Sequence, residues 1–386
     1  MKILIVACGQ GQGHVGRTLE VSDELKKRGH EILWATYNNA VDFVKRHKFS
    51  VKRIQKISFD QYTKKGRFAF SKLYLNLPKT MLYEQSKQML ELNKIIKKFK
   101  PDVILSDSEI SPIIISKIKR IPCGIIIHQL RMKVKIGRKK YAKIGWYKQF
   151  GIADKIFLPD FPEENMIYTL NKPIPKKYES KIIYSGVMCR EREENLPSKK
   201  KIKKDWGIKS NKPLIYCGIS GPGKSADLFS KKVVKFLRNN EEFIFVLSRG
   251  NPKGSSIKKE DNLIIADWIK DEINVKSKKE FERFKLIKAS DLVFCRSAYT
   301  TVMELIKFGR ESVMIPNPGT TEQEFLKDRL NELKLTHGYN QNELEKIDFK
   351  TIIKDKEMKK KLRYYKNLSK KYDAGKIISD EIEDLV

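Results

Sequence analysis

The sequence predicts an α/β protein built from two doubly wound domains in tandem. Three observations carry this. Short apolar runs rich in β-branched residues alternate with helical segments, the pattern of strands buried on both faces of a parallel sheet. A strand–glycine-rich turn–helix unit occurs twice, opening at Lys2 and again at Pro213. Between them, residues 161–204 turn Pro-, Lys- and Glu-rich, with prolines at 162, 173, 175 and 197. That is the composition of a linker.

In the first half, Lys2–Cys8 is a continuous apolar run and reads as a buried parallel strand. It leads into Gly9-Gln10-Gly11-Gln12-Gly13-His14-Val15-Gly16 and a helix with Leu19, Val21 and Leu25 on its apolar face. The glycines admit close approach of a ligand to the backbone, and the helix N-terminus favours an anion. A second strand, Glu31–Thr36, closes the βαβ unit. A redox dinucleotide site would place a carboxylate at the end of that strand. The sequence there is Ala35-Thr36-Tyr37-Asn38, which argues against one. Pro101–Ser106, Pro122–His128 and Asp154–Pro159 read as further buried strands.

The second half repeats the architecture without repeating the sequence. Strands are expected at Phe243–Ser248, Leu263–Ala266, Asp291–Cys295 and Ser312–Ile315, with a helix from about Thr300 to Phe308. The tail from Asp373 reads as a short amphipathic helix with an acidic end. Expected domains are 1–180, 181–370 and a C-terminal helix, 371–386, packing back on the first domain.

Composition narrows the class. Lys+Arg 80 against Asp+Glu 47 gives a formal charge of +33. A thermophilic bias raises Glu along with Lys, so part of this excess points to a polyanionic partner. The five cysteines are scattered, with no CxxC pair and no zinc spacing. They read as small hydrophobes of a reducing, cytosolic protein. The apolar N-terminal run is too short for a signal peptide, and the longest later run, 110–127, is broken by Lys117, Lys119 and Arg120.

Residues 110–153 contain no Asp or Glu but carry Arg131, Lys133, Lys135, Arg138, Lys139, Lys140, Lys143 and Lys148 among Ile136, Tyr141, Ile144, Trp146 and Tyr147. Amphipathic rings among cations suit an anionic membrane face. They also suit stacking on single-stranded nucleic acid, or a solvated basic face. The membrane reading is preferred, with Lys133, Lys135, Arg138, Lys139, Lys140 and Trp146 as docking residues, and nucleic acid is not favoured.

Two motifs bear on chemistry. Gly218–Ser225 satisfies G-x-x-x-x-G-K-S after a strand, the pattern of a P-loop using Lys224, with Asp267 on offer as its magnesium ligand. That reading leaves Phe294-Cys295-Arg296-Ser297, Thr301-Val302-Met303-Glu304 and Glu322-Gln323 unexplained. This second set resembles, residue type and spacing together, the donor-binding region of MurG-type transferases of glycosyltransferase family 28. The resemblance spans the chain in order and is tightest in the second half.

The resemblance implies a GT-B fold, two Rossmann-like domains facing across a cleft, and a UDP-sugar donor, with N-acetylglucosamine the favoured sugar. It implies that Glu304 holds the ribose hydroxyls and that Gln323 contacts the sugar. Glu324 stands where members often carry a second glutamine, so sugar specificity does not carry over. Gly218, Ser220 and Gly221 become the diphosphate loop, and Arg296, Ser297 and Thr301 belong to the same donor region. Arg190, after Gly186, matches a donor-side arginine. Gly11, Gly13 and His14 match the loop that faces the acceptor. The implied partner is a lipid-linked or membrane-located glycan acceptor at the inner face of the cell membrane, and direct attack by it inverts the anomeric centre.

The physical logic runs parallel. Helix N-termini and backbone donors stabilise a leaving diphosphate without a metal or other cofactor. A base must take the acceptor's proton. His14 is the first candidate and a phosphate ligand the bland alternative; Asp107 and Glu109, at a strand end, are second choices. Other readings are a P-loop ATPase or kinase, a nucleotide-sugar epimerase on the same scaffold, and a non-catalytic nucleic-acid-binding module.

Overall fold

A computed structural model describes residues 1–10, 13–57, 63–64, 67–68, 83–135, 141–219, 223–251, 254–269, 271–272 and 280–386. The chain divides into two compact units. Unit 1 takes the described residues of 1–60, 70–190 and 371–386, and unit 2 those of 61–69 and 191–370. The break falls after Arg190, later than the 180/181 position expected.

Unit 1 opens with β1 (Lys2–Ala7), α1 (Gly13–Lys27), β2 (Glu31–Thr36), α2 (Ala40–Arg46) and β3 (Ser50–Arg53). It continues with α3 (Gln85–Phe99), β4 (Val103–Asp107), α4 (Ser111–Lys119) and β5 (Cys123–Ile126). A hairpin, β6 (Arg131–Lys135) and β7 (Tyr141–Gly145), precedes β8 (Lys155–Leu158) and β9 (Ile182–Tyr184). Seven strands form one parallel sheet in the order β9-β8-β5-β4-β1-β2-β3. The order reverses at β1, the point where doubly wound sheets place their sites. One face of the sheet, with Leu4, Val6, Ile104, Ile125 and Ile156, shares a core with Leu92 and Ile96 of α3 and Ile113 of α4. Each of these buried aliphatics contributes about 1.5–3 kcal/mol.

The segment read as linker is part structure. Ile182–Tyr184 is the edge strand of the first sheet, and Asn171, within 161–204, ties down the hairpin entry. Its Oδ1 accepts from the Leu130 and Arg131 N–H groups at 2.9 and 3.2 Å.

Unit 2 runs β10 (Leu214–Gly218), α5 (Gly223–Arg238), β11 (Ile244–Ser248), β12 (Ile257–Lys259), β13 (Leu263–Ala266), α6 (Glu282–Ala289) and β14 (Leu292–Cys295). It ends with α7 (Tyr299–Phe308), β15 (Ser312–Met314), α8 (Thr321–Glu332), β16 (His337–Gly338) and α9 (Lys356–Lys371). The sheet order is β12-β13-β11-β10-β14-β15-β16, parallel except for β12. Phe349 centres an aromatic core. Its ring lies 5.6 Å from Phe236 and Phe243, 5.7 Å from Phe245 and 6.4 Å from Phe294.

The chain then returns to unit 1 as α10 (Ala374–Glu383), which packs on α1. Ala374, Ile378 and Ile382 are fully buried. Around them, Arg28 donates to Asp380 and Glu383 at 2.6 and 2.8 Å, His30 meets Glu383 at 2.6 Å and Lys155 meets Glu381 at 2.6 Å. Burial supplies the energy and the ion pairs fix the register, because partly exposed pairs contribute only ~0–1 kcal/mol each. The turn at Gly186 holds φ +74°, and a Cβ there would sit 2.3 Å from Cβ of Tyr372. Only glycine lets the two crossing segments lie that close. All five cysteines are buried and free. No helix among the described residues is long and apolar enough to cross a membrane.

Candidate active site

In unit 1 the candidate residues gather where β1, β4 and β5 end. Ala7 pairs with Asp107, which pairs in turn with Ile126, so Asp107 closes the central strand. Gly9 lets the chain leave β1 beneath the end of β2, since a Cβ there would lie 2.2 Å from the Tyr37 carbonyl oxygen. Gly13 and His14 open α1. Gly11 lies outside the described residues.

Asp107 is fully buried and saturated. It accepts from Arg17 Nε at 2.7 Å and Nη2 at 2.6 Å, from Thr18 Oγ1 at 2.6 Å, from Ser108 Oγ at 3.0 Å and from His14 Nδ1 at 2.9 Å. Burial alone would raise its pKa. The Arg17 charge, then His14, and their hydrogen bonds overcome this and hold the carboxyl well below the usual range. The ionised carboxylate fixes the His14 tautomer. Arg17 Nη2 also lies 3.2 Å from this Nδ1, but the shorter contact, to the ionised Oδ1, is the one that requires a proton there, so in the neutral ring Nε2 carries the lone pair. His14 is the partly exposed member, with 26% of its side chain accessible.

Arg17 also sets a second ring. Its Nη1 lies 3.2 Å from Nδ1 of His128. A guanidinium only donates, so His128 Nδ1 accepts and the neutral ring carries its proton on Nε2. One Asp–Arg pair therefore gives two histidines opposite tautomers. Arg17 and His128 carry no role in the sequence reading. An arginine in the first helical turns reads as a solvated cation, and its partner stands 90 residues away.

Glu109, the other second-choice group, points elsewhere. It accepts from Tyr37 Oη at 2.6 Å, and Tyr37 Oη in turn lies 3.3 Å from Cys8 Sγ. Burial pushes its carboxyl up to about 7, against the hydrogen bonds from Tyr37 and Cys8.

In unit 2 the donor-region residues gather at the ends of β10, β14 and β15. Gly218 pairs with Cys295. Ser220 and Gly221 lie outside the described residues, and α5 starts at Gly223. Ser297 Oγ donates to the Gln323 carbonyl at 2.8 Å. Gln323 Oε1 accepts from the Asn317 N–H at 2.8 Å, which leaves its Nε2 hydrogens as donors. Glu324 Oε1 accepts from the Gly319 N–H at 2.9 Å. The two side chains thus hold the 317–319 turn in front of α8. Thr301 is half-buried in the first turn of α7. Glu304 follows one turn later, almost wholly buried, its carboxylate gripped by Arg283. Nη1 donates to Oε2 at 2.7 Å and Nη2 to Oε1 at 2.5 Å.

Arg296 is 1% exposed, its guanidinium 3.7 Å above the Phe229 ring, with Nη1 donating to the Pro316 carbonyl at 3.1 Å. Burial lowers its pKa to about 9. It latches the strand end to the following loop, and its position gives it no exposed surface for a ligand. Arg190 belongs to unit 1. It stacks over Phe43 at 5.0 Å and lies 3.3 Å from His47 Nε2. Asp267 is engaged by Arg249 at 3.7 Å and by the Ser256 N–H at 3.1 Å.

Of the basic segment, Lys133 is half-exposed on the hairpin, and Trp146 packs against the unit 1 core with its indole N–H buried. Lys135 lies at the end of β6. Arg138, Lys139 and Lys140 lie outside the described residues. Among the described residues no cluster could hold a metal ion.

Comparison with known proteins matches residues 1–179 to the model of glycosyl transferase family 1 and residues 259–380 to that of the glycosyltransferase family 28 C-terminal domain. An uncharacterized glycosyltransferase of Methanosarcina acetivorans is 28% identical, the alignment covering 84% of this chain and 82% of that one. The UDP-N-acetylglucosamine–N-acetylmuramyl-(pentapeptide) pyrophosphoryl-undecaprenol N-acetylglucosamine transferase of Acetivibrio thermocellus is 23% identical over 83% of this chain and 79% of its own. Among solved structures, the kitacinnamycin glycotransferase superposes with a TM-score of 0.73 at 13% identity, covering 100% of this chain and 98% of that one. The chain is a glycosyltransferase of the GT-B fold.

Proposed function

We propose that the chain moves a sugar, N-acetylglucosamine first among candidates, from a UDP-sugar to a hydroxyl of a lipid-linked or membrane-located glycan, with inversion and without a metal. The observation that carries the reading is the His14–Asp107 pair, a partly exposed imidazole whose tautomer is fixed by a buried carboxylate. His14 Nε2 takes the proton of the acceptor hydroxyl. The oxygen attacks the anomeric carbon from the face opposite the diphosphate, the bond from that carbon to the phosphate oxygen breaks, and UDP leaves. Asp107 stays ionised and stabilises the imidazolium. The first-turn N–H groups of α5 favour the diphosphate charge. Glu304 accepts from the ribose hydroxyls and Gln323 Nε2 donates to the sugar. The donor named for the Acetivibrio thermocellus relative supports the choice of UDP-N-acetylglucosamine. The basic hairpin and its surroundings dock the protein on the anionic inner face of the cell membrane.

Donor profiling by UDP release, with extracted membrane lipids as acceptor and EDTA present, tests this. UDP-N-acetylglucosamine should turn over best. His14→Gln should lose about 10²–10⁴-fold in turnover while keeping UDP affinity within about twofold, because the base acts only in the chemical step. Wild-type turnover in that variant would remove His14 as the base, and no UDP release from any UDP-sugar of the panel would overturn the donor assignment.

A further inference from the structure

The Arg283 fork is not used by the proposed chemistry, and it sits on the one carboxylate assigned to the nucleoside. Glu304 lies on α7, and Arg283 on the short helix α6 that packs beside it. The guanidinium is itself held. Its carbon lies 4.8 Å from the centre of the Phe284 ring, and Phe284 stacks on Phe308 at 5.8 Å with an interplanar angle of 13°. Phe308 ends the same helix that carries Glu304. Arg283, Phe284, Phe308 and Glu304 therefore close a ring of contacts across the two helices.

Such a ring removes the freedom a glutamate otherwise has. The terminal torsion of Glu is broad, and a planar two-point fork fixes the carboxylate plane. The fork also brings a positive charge to a carboxylate only 7% exposed. Unpaired, that charge would be costly to bury and would repel an incoming diphosphate. Each carboxylate oxygen offers two acceptor positions. Arg283 occupies one on each, and among the described residues no other donor takes the second. The positions left on the two oxygens point away from each other, out of the two edges of a fixed plane, so ribose hydroxyls meet the carboxylate from one edge.

We propose that Arg283 is a positioning residue of the nucleoside site: its fork presents Glu304 to both ribose hydroxyls and so sets the preference for ribonucleoside over 2′-deoxyribonucleoside diphosphates. The inference rests on the donor reading above.

The test compares UDP with 2′-deoxy-UDP by calorimetric titration of the full chain. Wild type should bind UDP about 10–100-fold more tightly, the worth of a hydrogen bond to a charged group. Arg283→Lys keeps the countercharge but loses the fork. Most of the preference should go, through weaker UDP binding, with 2′-deoxy-UDP affinity changed less than about threefold. In a Glu304→Gln background, which leaves no uncompensated charge if the arginine is removed, adding Arg283→Met should change the ratio no further. An unchanged ratio in Arg283→Lys, tighter UDP binding there, or a full further loss in the Glu304→Gln background would overturn the inference alone. Failure of the wild-type chain to bind either diphosphate would overturn the donor reading and the inference together.

Discussion

Asp107 closes β4 and Glu109 stands two residues beyond it, yet the two buried carboxyls titrate in opposite directions. Asp107 faces the Arg17 charge. Glu109 faces the neutral Tyr37 and Cys8, and burial dominates. In the folded chain Glu109 keeps its proton to about pH 7, against 4.5 for an ordinary glutamate. Folding therefore takes up a proton between these values. The stability tied to neutral Glu109 is complete below about 4.5 and is lost as pH rises through about 7. Glu109→Gln keeps the oxygen that accepts from Tyr37 but cannot ionise. Melting wild type and variant in parallel from pH 4 to 8 should show a gap that opens in favour of the variant as pH rises through that window. A gap independent of pH would contradict the assignment. At this scale much of the candidate site was legible: His14 and Asp107 stood out by residue type at a glycine turn and a strand end, and Glu304 and Gln323 through the family resemblance. Arg17, His128 and Arg283 did not, because their meaning lies in partners brought close only by folding.

Elements were legible in proportion to their burial. β1, β2, β4, β10, β13 and β14 fall on continuous apolar runs, since a parallel strand covered on both faces has no polar side to show. β9 escaped because three residues at a sheet edge, set among prolines and lysines, carry no such run. The hairpin β6–β7 escaped although Arg131-Met132-Lys133-Val134-Lys135 alternates, because the charge of the segment directed the reading to a docking face. The C-terminal helix gives the clearest energetic test. Ile382→Ala empties a fully buried position between α10 and the sheet, for which large-to-small core changes cost about 2–5 kcal/mol. Chemical denaturation should show that loss in the transition of unit 1. A loss under about 0.5 kcal/mol would mean that α10 is only loosely docked.

For the whole molecule, the +33 charge and the fold answer different questions. Charge says nothing of the two sheets, and the sheets do not require it. If the excess serves membrane docking, sedimentation with vesicles containing anionic phosphatidylglycerol should carry the protein down, whereas neutral phosphatidylcholine vesicles should not. Raising salt from about 0.1 M to 1 M shortens the screening length from about 10 to 3 Å and should release it. Binding that ignores both lipid charge and salt would separate the charge from any membrane role. The two-domain plan was readable because each half carries its own strand–glycine–helix opening. The division after Arg190 has no such mark, because the linker composition runs on either side of it.

The return of the chain to unit 1 orders events in time. Unit 1 lacks the helix covering part of its sheet until Lys371–Val386 has been synthesised, whereas unit 2 is complete once Lys370 has emerged. The usual vectorial order, with the N-terminal domain folding first, is thereby inverted: the unit begun first is sealed last. A nascent or truncated chain lacking α10 would expose the apolar surface that Ile378 and Ile382 cover, and so mark itself for chaperones and proteases before it could engage an acceptor.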